Sequence, residues 1–375
     1  MLYSTLTLYD SCPDQRSGKT IRKRLYYTDH HLLCGAFPAN ALADRLRELP
    51  RLRSLTIRRT NAVVHGLPWS TLSVILSVPH LREVKVIAVH FCPILRSGEQ
   101  LNVDSLAPLT SFHYSLGVPA KSEASPAEVA ALAAVLGKLC DTLERLILPP
   151  EPVPAPTLSR YHWPRLRELV FFGTTWVTRS APPITLCSVT PALRRLSINL
   201  ALDTPQMLCP PGYDHHRVWP YLDQLSISSP DPQDEIYDHL PPTLHELSLR
   251  YWPHICAQQQ LRDIRHITNE PHYDSMIGPT AVLSILRRCN VPELDCLELE
   301  YRVDHDGDDE QLWRYIASAL PRLTRLTIHR FRHTRDREQK KSVPLVSPCI
   351  IQSAVVIDAV SSYIGSTGTT TNSSH

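Results

Sequence analysis

Residues Leu49 to Ile57 read LPRLRSLTI. The phrase returns as WPRLRELVF at Trp163 to Phe171, TPALRRLSI at Thr190 to Ile198 and LPRLTRLTI at Leu320 to Ile328. Each copy holds an apolar residue, two variable ones, a second apolar, one variable and a third apolar. The same spacing extends in both directions, as Leu52-Leu55-Ile57, Leu81-Val84-Val86, Leu143-Leu146-Leu148, Leu166-Leu169-Phe171 and Leu193-Leu196-Ile198. It continues as Leu222-Leu225-Ile227, Leu244-Leu247-Leu249, Leu294-Leu297-Leu299 and Leu323-Leu326-Ile328. Weaker copies sit at Leu109-Phe112-Tyr114 and, opening the chain, at Tyr3-Leu6-Leu8. From Leu52 onward the step between first apolar positions runs 29, 28, 34, 23, 27, 29, 22, 50 and 29.

The last two apolar residues of each copy point to one side of a short strand, and the first packs the turn before it. One unit cannot bury such a face alone, so neighbours stack into a parallel sheet and share a core. If the step of 50 hides one degenerate unit near Leu261-Ile264, within residues 250–290, the mean step is about 27, inside the range of the leucine-rich repeat. The predicted fold class is therefore α/β: a leucine-rich-repeat solenoid, or horseshoe, of ten or eleven units. Its concave sheet is parallel, and its convex face mixes helix with irregular chain. Ser125-Pro126-Ala127-Glu128 has the form of a capping box with proline at the first helical position, which predicts a helix over Pro126 to Leu139. Helical spacing also marks Asn40–Leu49, Ser70–Val78, Thr280–Arg288 and Asp309–Leu320. Between Pro149 and Pro242 lie 17 of the 33 prolines, so turns and extended loops replace helices there.

The chain is divided into residues 1–45 as an atypical first repeat or cap, 46–330 as the solenoid, and 331–375 as a basic, then Ser/Thr-rich and largely disordered tail. Leucine contributes 52 of 375 residues, while proline reaches 33 and glycine only 12, a poor composition for glycine-rich phosphate loops. Lys and Arg number 39 against 37 acids, so bulk charge carries no nucleic-acid signal. The ten cysteines show no CxxC pair and follow no signal peptide, which points to free thiols in the cytoplasm or nucleus. The longest apolar stretch, Leu345 to Ile364, is broken by Pro348, Gln352 and Asp358 and reads as a poor membrane span.

The repeat phrases resemble those of fungal leucine-rich-repeat proteins of the F-box type, over about Leu46 to Ile328. Cys140-Asp141-Thr142-Leu143 and LRRCNVPELDCLEL (Leu286 to Leu299) are similar to the cysteine-containing repeat, whose Cys packs near the helix-to-strand turn. The resemblance implies a protein-binding module that holds substrate for a cullin-type ubiquitin ligase. In that family an F-box near the N-terminus contacts a Skp-type adaptor. Residues 1–45 show no F-box-like helical trio, so a Skp-type partner requires an F-box upstream of this sequence. A stand-alone scaffold is the alternative.

Chemical motifs are sparse. Ser17-Gly18-Lys19-Thr20 suggests a phosphate loop, yet Pro13 stands where a Walker loop needs its first glycine. A nucleotide-binding protein is accordingly a distant third reading. Asp304 to Glu310 is acidic, but Asp309 and Tyr315 occupy the sixth and twelfth positions, where a calcium loop needs glycine and glutamate. It reads as a turn capping the following helix. Cys209, His215 and His216 lack a fourth zinc ligand at suitable spacing. No catalytic, cofactor-binding or metal-binding residue is predicted, and the chain is read as a monomeric, non-enzymatic module.

What remains is the row of residues between the inward positions. It grades from basic (Arg58, Lys85) to acidic (Glu298, Glu300), and residues 1–200 carry +9 while 201–375 carry −7. Such a gradient suits a protein partner on the concave face better than a nucleic-acid backbone. The candidate contacts are Arg58, Lys85, Phe172, Arg250, Tyr251, Trp252, Glu298 and Glu300, with Phe172, Arg250, Tyr251 and Trp252 as exposed anchors.

Overall fold

Every copy of the apolar phrase becomes a strand in the computed structural model. The structure describes residues 4–10, 39–59, 66–116, 124–153, 155–173, 182–200, 207–213, 219–251, 276–305, 307–332 and 354–358. The chain forms two units, residues 1–202 with 219–221, and residues 203–218 with 222–375.

The first unit contains β1 (Thr5–Asp10), β2 (Ser54–Arg59), β3 (Gly66–Leu67), β4 (Glu83–Ile87), β5 (His90–Phe91), β6 (Ser111–Ser115), β7 (Arg145–Leu148), β8 (Glu168–Gly173) and β9 (Arg195–Leu200). Short β3 and β5 pair with each other; the other strands form a parallel sheet with one strand per repeat. Its register is set by the phrase itself. Leu55, Val84, Phe112, Leu146, Leu169 and Leu196 stand opposite one another from strand to strand, and all are buried. A slip of one residue would turn this whole ladder to solvent, so register is strongly specified. The first apolar residue of each phrase is buried too, from Leu52 to Leu193. It seats a turn in which two successive amides share one carbonyl. Arg82 and Glu83 N–H both donate to the Arg53 carbonyl, and Arg194 and Arg195 N–H to that of Arg167.

Behind the sheet run α1 (Ala39–Arg47), α2 (Trp69–Leu76) and α3 (Pro126–Leu139), close to the spans read from sequence. The proline-rich stretch supplies only a four-residue α4 (Ala155–Leu158) and a 3-10 turn at Pro183–Leu186. Ser125 caps α3 by accepting the Glu128 N–H at 3.1 Å, so half of the predicted capping box forms. The other half does not: the Glu128 side chain turns into the core, 1% exposed. There it accepts the Phe91 N–H at 3.1 Å and the Tyr114 hydroxyl, and lies 3.2 Å from His90 Nδ1. Gly137 allows the Tyr161 ring to lie against α3, since a Cβ there would stand 2.9 Å from the ring.

The second unit contains β10 (Gln224–Ser228), β11 (Glu246–Arg250), α5 (Pro279–Arg288), β12 (Cys296–Val303), α6 (Glu310–Ala319), β13 (Arg325–Arg332) and β14 (Ala354–Asp358), with a 3-10 turn at Glu235–Asp238. One expectation is corrected here. Strands β11 and β12 are direct neighbours, with Glu246 opposite Cys296. The step of 50 is therefore a long return segment between adjacent strands, and no hidden repeat adds a strand between them; Leu261-Ile264 lies outside the described residues. Within the tail expected to be largely disordered, β14 pairs antiparallel with β13, Leu326 opposite Ile357. A strand at the end of a parallel stack exposes unpaired backbone groups, and one antiparallel strand satisfies them.

Cys140 and Cys289 occupy the C-caps of α3 and α5, and Cys187 that of the 3-10 turn at Pro183–Leu186, each just ahead of the turn into a strand. Cys140 Sγ donates to the Gly137 carbonyl at 3.2 Å and Cys289 Sγ to the Ile285 carbonyl at 3.3 Å. Burial pushes the Cys289 thiol up to about 12, so it serves as a protonated donor. This is the placement implied by the cysteine-containing repeat. The chain is thus an α/β protein of stacked, leucine-rich parallel repeats.

Candidate functional site

Because inward positions alternate with outward ones, each strand sends a fixed set of side chains to the open face of its sheet. In the first unit the leading outward position reads Ser54, Glu83, Ser111, Arg145, Glu168, Arg195 from strand to strand. Ser54 Oγ donates to Glu83 at 2.6 Å, and Lys85 Nζ lies 3.0 Å from the same carboxylate. Glu168 is bracketed by Arg145 at 3.0 Å and Arg195 at 3.6 Å. Burial raises the Glu83 pKa, but the Ser54 and Lys85 bonds and the charges of Lys85 and Arg145 outweigh it and hold the carboxyl below its usual value. His113, one position further along β6, is pushed down to about 4 by burial and then by the Lys85 and Arg145 charges.

The residue preceding each strand forms a second row along the sheet edge: Arg53, Arg82, Thr110, Glu144, Arg167, Arg194. Arg82 turns back onto the Leu81 carbonyl at 2.7 Å. Arg53, Arg167 and Arg194 are exposed, and none forms an ion pair with another described residue. The two rows, with outward Arg58 and Lys85, hold Arg53, Arg58, Arg82, Lys85, Arg145, Arg167, Arg194 and Arg195, eight cations against Glu83, Glu144 and Glu168, a surplus of five positive charges.

The second unit has the opposite balance. Its edge row reads Asp223, His245, Asp295, Thr324, and His245 lies 3.9 and 3.6 Å from the two carboxylates beside it. On the open face, Glu298 is the hub. It pairs with Arg250, accepts the Ser248 hydroxyl at 3.1 Å and lies 3.7 Å from His329 Nε2. Burial pushes the Glu298 carboxyl up, but the His329, Arg250 and Ser248 contacts together hold it below its usual value. The same contact raises His329. Glu300 is 3% exposed and accepts the Tyr251 N–H; burial pushes it up to about 7.

Of the candidate contacts, Arg58 is exposed, while Lys85, Phe172, Arg250 and Glu298 are half-buried on the open faces. Two are corrected. Tyr251 is 3% exposed and packs with Met276 and Phe331, so its ring belongs to the core and is not an exposed anchor. Glu300 is buried against the backbone of Tyr251 rather than presented to solvent. Tyr251 follows the last residue of β11, where the alternation no longer tells inside from outside, whereas Glu300 lies within β12 in the outward register opposite His329 and is buried there nonetheless. Trp252 lies outside the described residues. Sequence reasoning missed the braces Arg145–Glu168–Arg195 and Ser248–Glu298–His329, although every member stood in the outward row. The missing signal was which rows touch, which register supplies.

Asp309 is also corrected: its side chain does not cap α6 but is buried, accepting the Tyr301 hydroxyl at 3.0 Å with Arg330 3.0 Å away. Among the described residues no group of three or more His, Cys, Asp or Glu is placed to hold a metal, and no helix is long and apolar enough to cross a membrane. Ser17 to Thr20, His215 and His216 lie outside the described residues; Cys209 is buried.

No protein-family model and no curated protein sequence matches the chain. Among solved structures it is similar to a chain in the crystal structure of the Rad7 and Elc1 complex in yeast. The two are 16% identical, with a TM-score of 0.39, over 81% of this chain and 77% of that one.

Proposed function

We propose that this chain is a protein-interaction module that holds a partner on the open faces of its sheets. The observation that carries this reading is the cross-strand bracing. Long side chains on these faces are held in fixed positions by partners on neighbouring strands, as in Arg145–Glu168–Arg195 and Arg250–Glu298–His329. A surface ordered in advance loses less side-chain entropy on binding. The role is binding rather than catalysis, and the chain acts as a monomer in the cytoplasm or nucleus, without nucleic acid.

The finer reading, drawn from the resemblance of the repeats, is substrate recognition for a cullin-type ubiquitin ligase through a Skp-type adaptor. The test is photo-crosslinking in cells from a benzoyl-phenylalanine placed at Thr56, Ile147, Ser197 or Thr327, with exposed Arg314 on α6 as the control site. Protein adducts enriched at the open-face positions support the module, and equal yields from Arg314 refute it. Co-precipitation of a Skp-type adaptor with the native protein separates the ligase reading from the stand-alone scaffold.

A further inference from the structure

We propose that the open face of the first unit binds an acidic, extended polypeptide segment carrying a large apolar side chain. The proposal rests on the interaction-module reading and specifies the partner's chemistry.

Three observations converge on one patch. The surplus of positive charge is confined to this unit's rows, where exposed Arg167 and Arg194 have no carboxylate partner among the described residues. The second unit's face has no such surplus, with Asp223, Glu246, Asp295 and Glu298 beside Arg250, Arg302 and Arg325, and its Arg250 is already engaged by Glu298. Next, the basic rows border an apolar patch further along the strands. Ile147 and Val170 stand opposite each other on β7 and β8, and Phe172 follows on β8, all half-buried on the outward side. Finally, burial and, after it, the Lys85 and Arg145 charges keep His113 neutral at ordinary pH, so it adds no charge of its own to this face.

A nucleic-acid backbone fits less well. Glu83, Glu144 and Glu168 interrupt the rows and would repel phosphates, and a phosphate backbone gains nothing from Ile147, Val170 and Phe172. An acidic peptide uses both features. Exposed ion pairs are individually weak, so the charges set selectivity and association rate, while an apolar side chain seated by Phe172 supplies the anchor.

The test uses the full chain and a fluorescein-labelled peptide, GEDEDFEDLDEG, read by fluorescence anisotropy. Saturable binding is the expected result, weakening at least about tenfold between about 50 and about 300 mM NaCl as screening shortens the reach of the charges. The double variant Arg167→Glu/Arg194→Glu loses at least about tenfold in affinity, Phe172→Ala about threefold or more, and Arg314→Glu on α6 nothing. Circular dichroism and urea midpoints confirm that each variant folds, and a variant that does not is replaced by Arg167→Gln/Arg194→Gln. No saturable binding, binding indifferent to the arginine changes, or tighter binding of a single-stranded oligodeoxythymidylate displaced by the same changes would each overturn the proposal. If crosslinking from Ile147 captures partner segments that are not acidic, this proposal fails while the module reading stands. If the open-face positions capture no protein beyond the Arg314 control, the module reading itself fails.

Discussion

Glu128 is the most informative residue to remove. It sits in the core of the first unit, 1% exposed, and accepts from the Tyr114 hydroxyl and the Phe91 N–H beside the His90 ring. The carboxylate terminates a polar cluster that the surrounding leucines cannot satisfy. Burial, and after it the charge and hydrogen bond of Glu128, raise Tyr114 well above its ordinary value and keep the hydroxyl a donor. Glu128→Ala strips the acceptor from at least two buried donors, each costing about 1–3 kcal/mol when left unmet. The Phe91 N–H keeps a weak alternative, the Tyr114 oxygen at 3.4 Å. The expected loss is therefore about 2–5 kcal/mol, a large share of the ~5–15 kcal/mol that holds a domain folded. Glu128→Gln retains one oxygen and should lose about half as much. Urea denaturation followed by circular dichroism measures both, and a cycle with Tyr114→Phe isolates the pair. In the Tyr114→Phe background the Glu128→Ala loss should shrink by about 1 kcal/mol or more. A loss within about 0.5 kcal/mol for Glu128→Ala, or strict additivity in the cycle, would refute the claim that this carboxylate organises the core.

Other expectations concern single residues. Glu300 holds a proton in the folded state up to about pH 7 that the unfolded chain releases near its ordinary value of 4.5. Its contribution is complete below pH 4.5 and is lost as pH rises through 7; urea midpoints at pH 5 and pH 8 should show Glu300→Gln flattening a decline of about 3 kcal/mol at most. Gly137→Ala improves helix propensity by about 1 kcal/mol but drives a Cβ into the Tyr161 ring. A net loss of about 1–2 kcal/mol in thermal melts is expected, relieved by Tyr161→Leu, and a gain in stability would contradict the packing described. Arg288 donates to the Pro232 carbonyl at 2.6 Å and the Asp234 carbonyl at 2.8 Å, and also pairs with Asp238, which is 44% exposed. Arg288→Met should therefore cost about 2 kcal/mol and Asp238→Asn under about 1, because only the carbonyl bonds are shielded from water. Equal losses in denaturant titrations would show that the ion pair dominates.

The strands were legible because their signal is local. Leu55 and Ile57 declare their inward side by alternation within one strand, and Leu52 its turn. Even the weak copies at Leu109 and Leu6 became β6 and β1. Helix α3 was legible from Ser125, Pro126 and its apolar spacing. The direct pairing of β11 with β12 was not, since a step of 50 residues fits a missing repeat and a long return segment equally well. Nor was the fate of Glu128, whose capping-box position is a local cue overridden by three partners from β5 and β6.

The sequence by itself determined the repeat phrase, the inward ladder and the opposite charge of the two halves, all properties of neighbours along the chain. Only the tertiary structure decided which charges are spent and which remain. Glu168 meets Arg195 across 27 residues, and Glu298 meets Arg250 across 48. Such pairs form only when stacking fixes the register between strands, and their worth depends on the burial that stacking creates. That is why Glu300 and Tyr251 read as surface in the sequence and became core. Arg167 and Arg194, unremarked in the sequence, remained on the face where a partner can reach them.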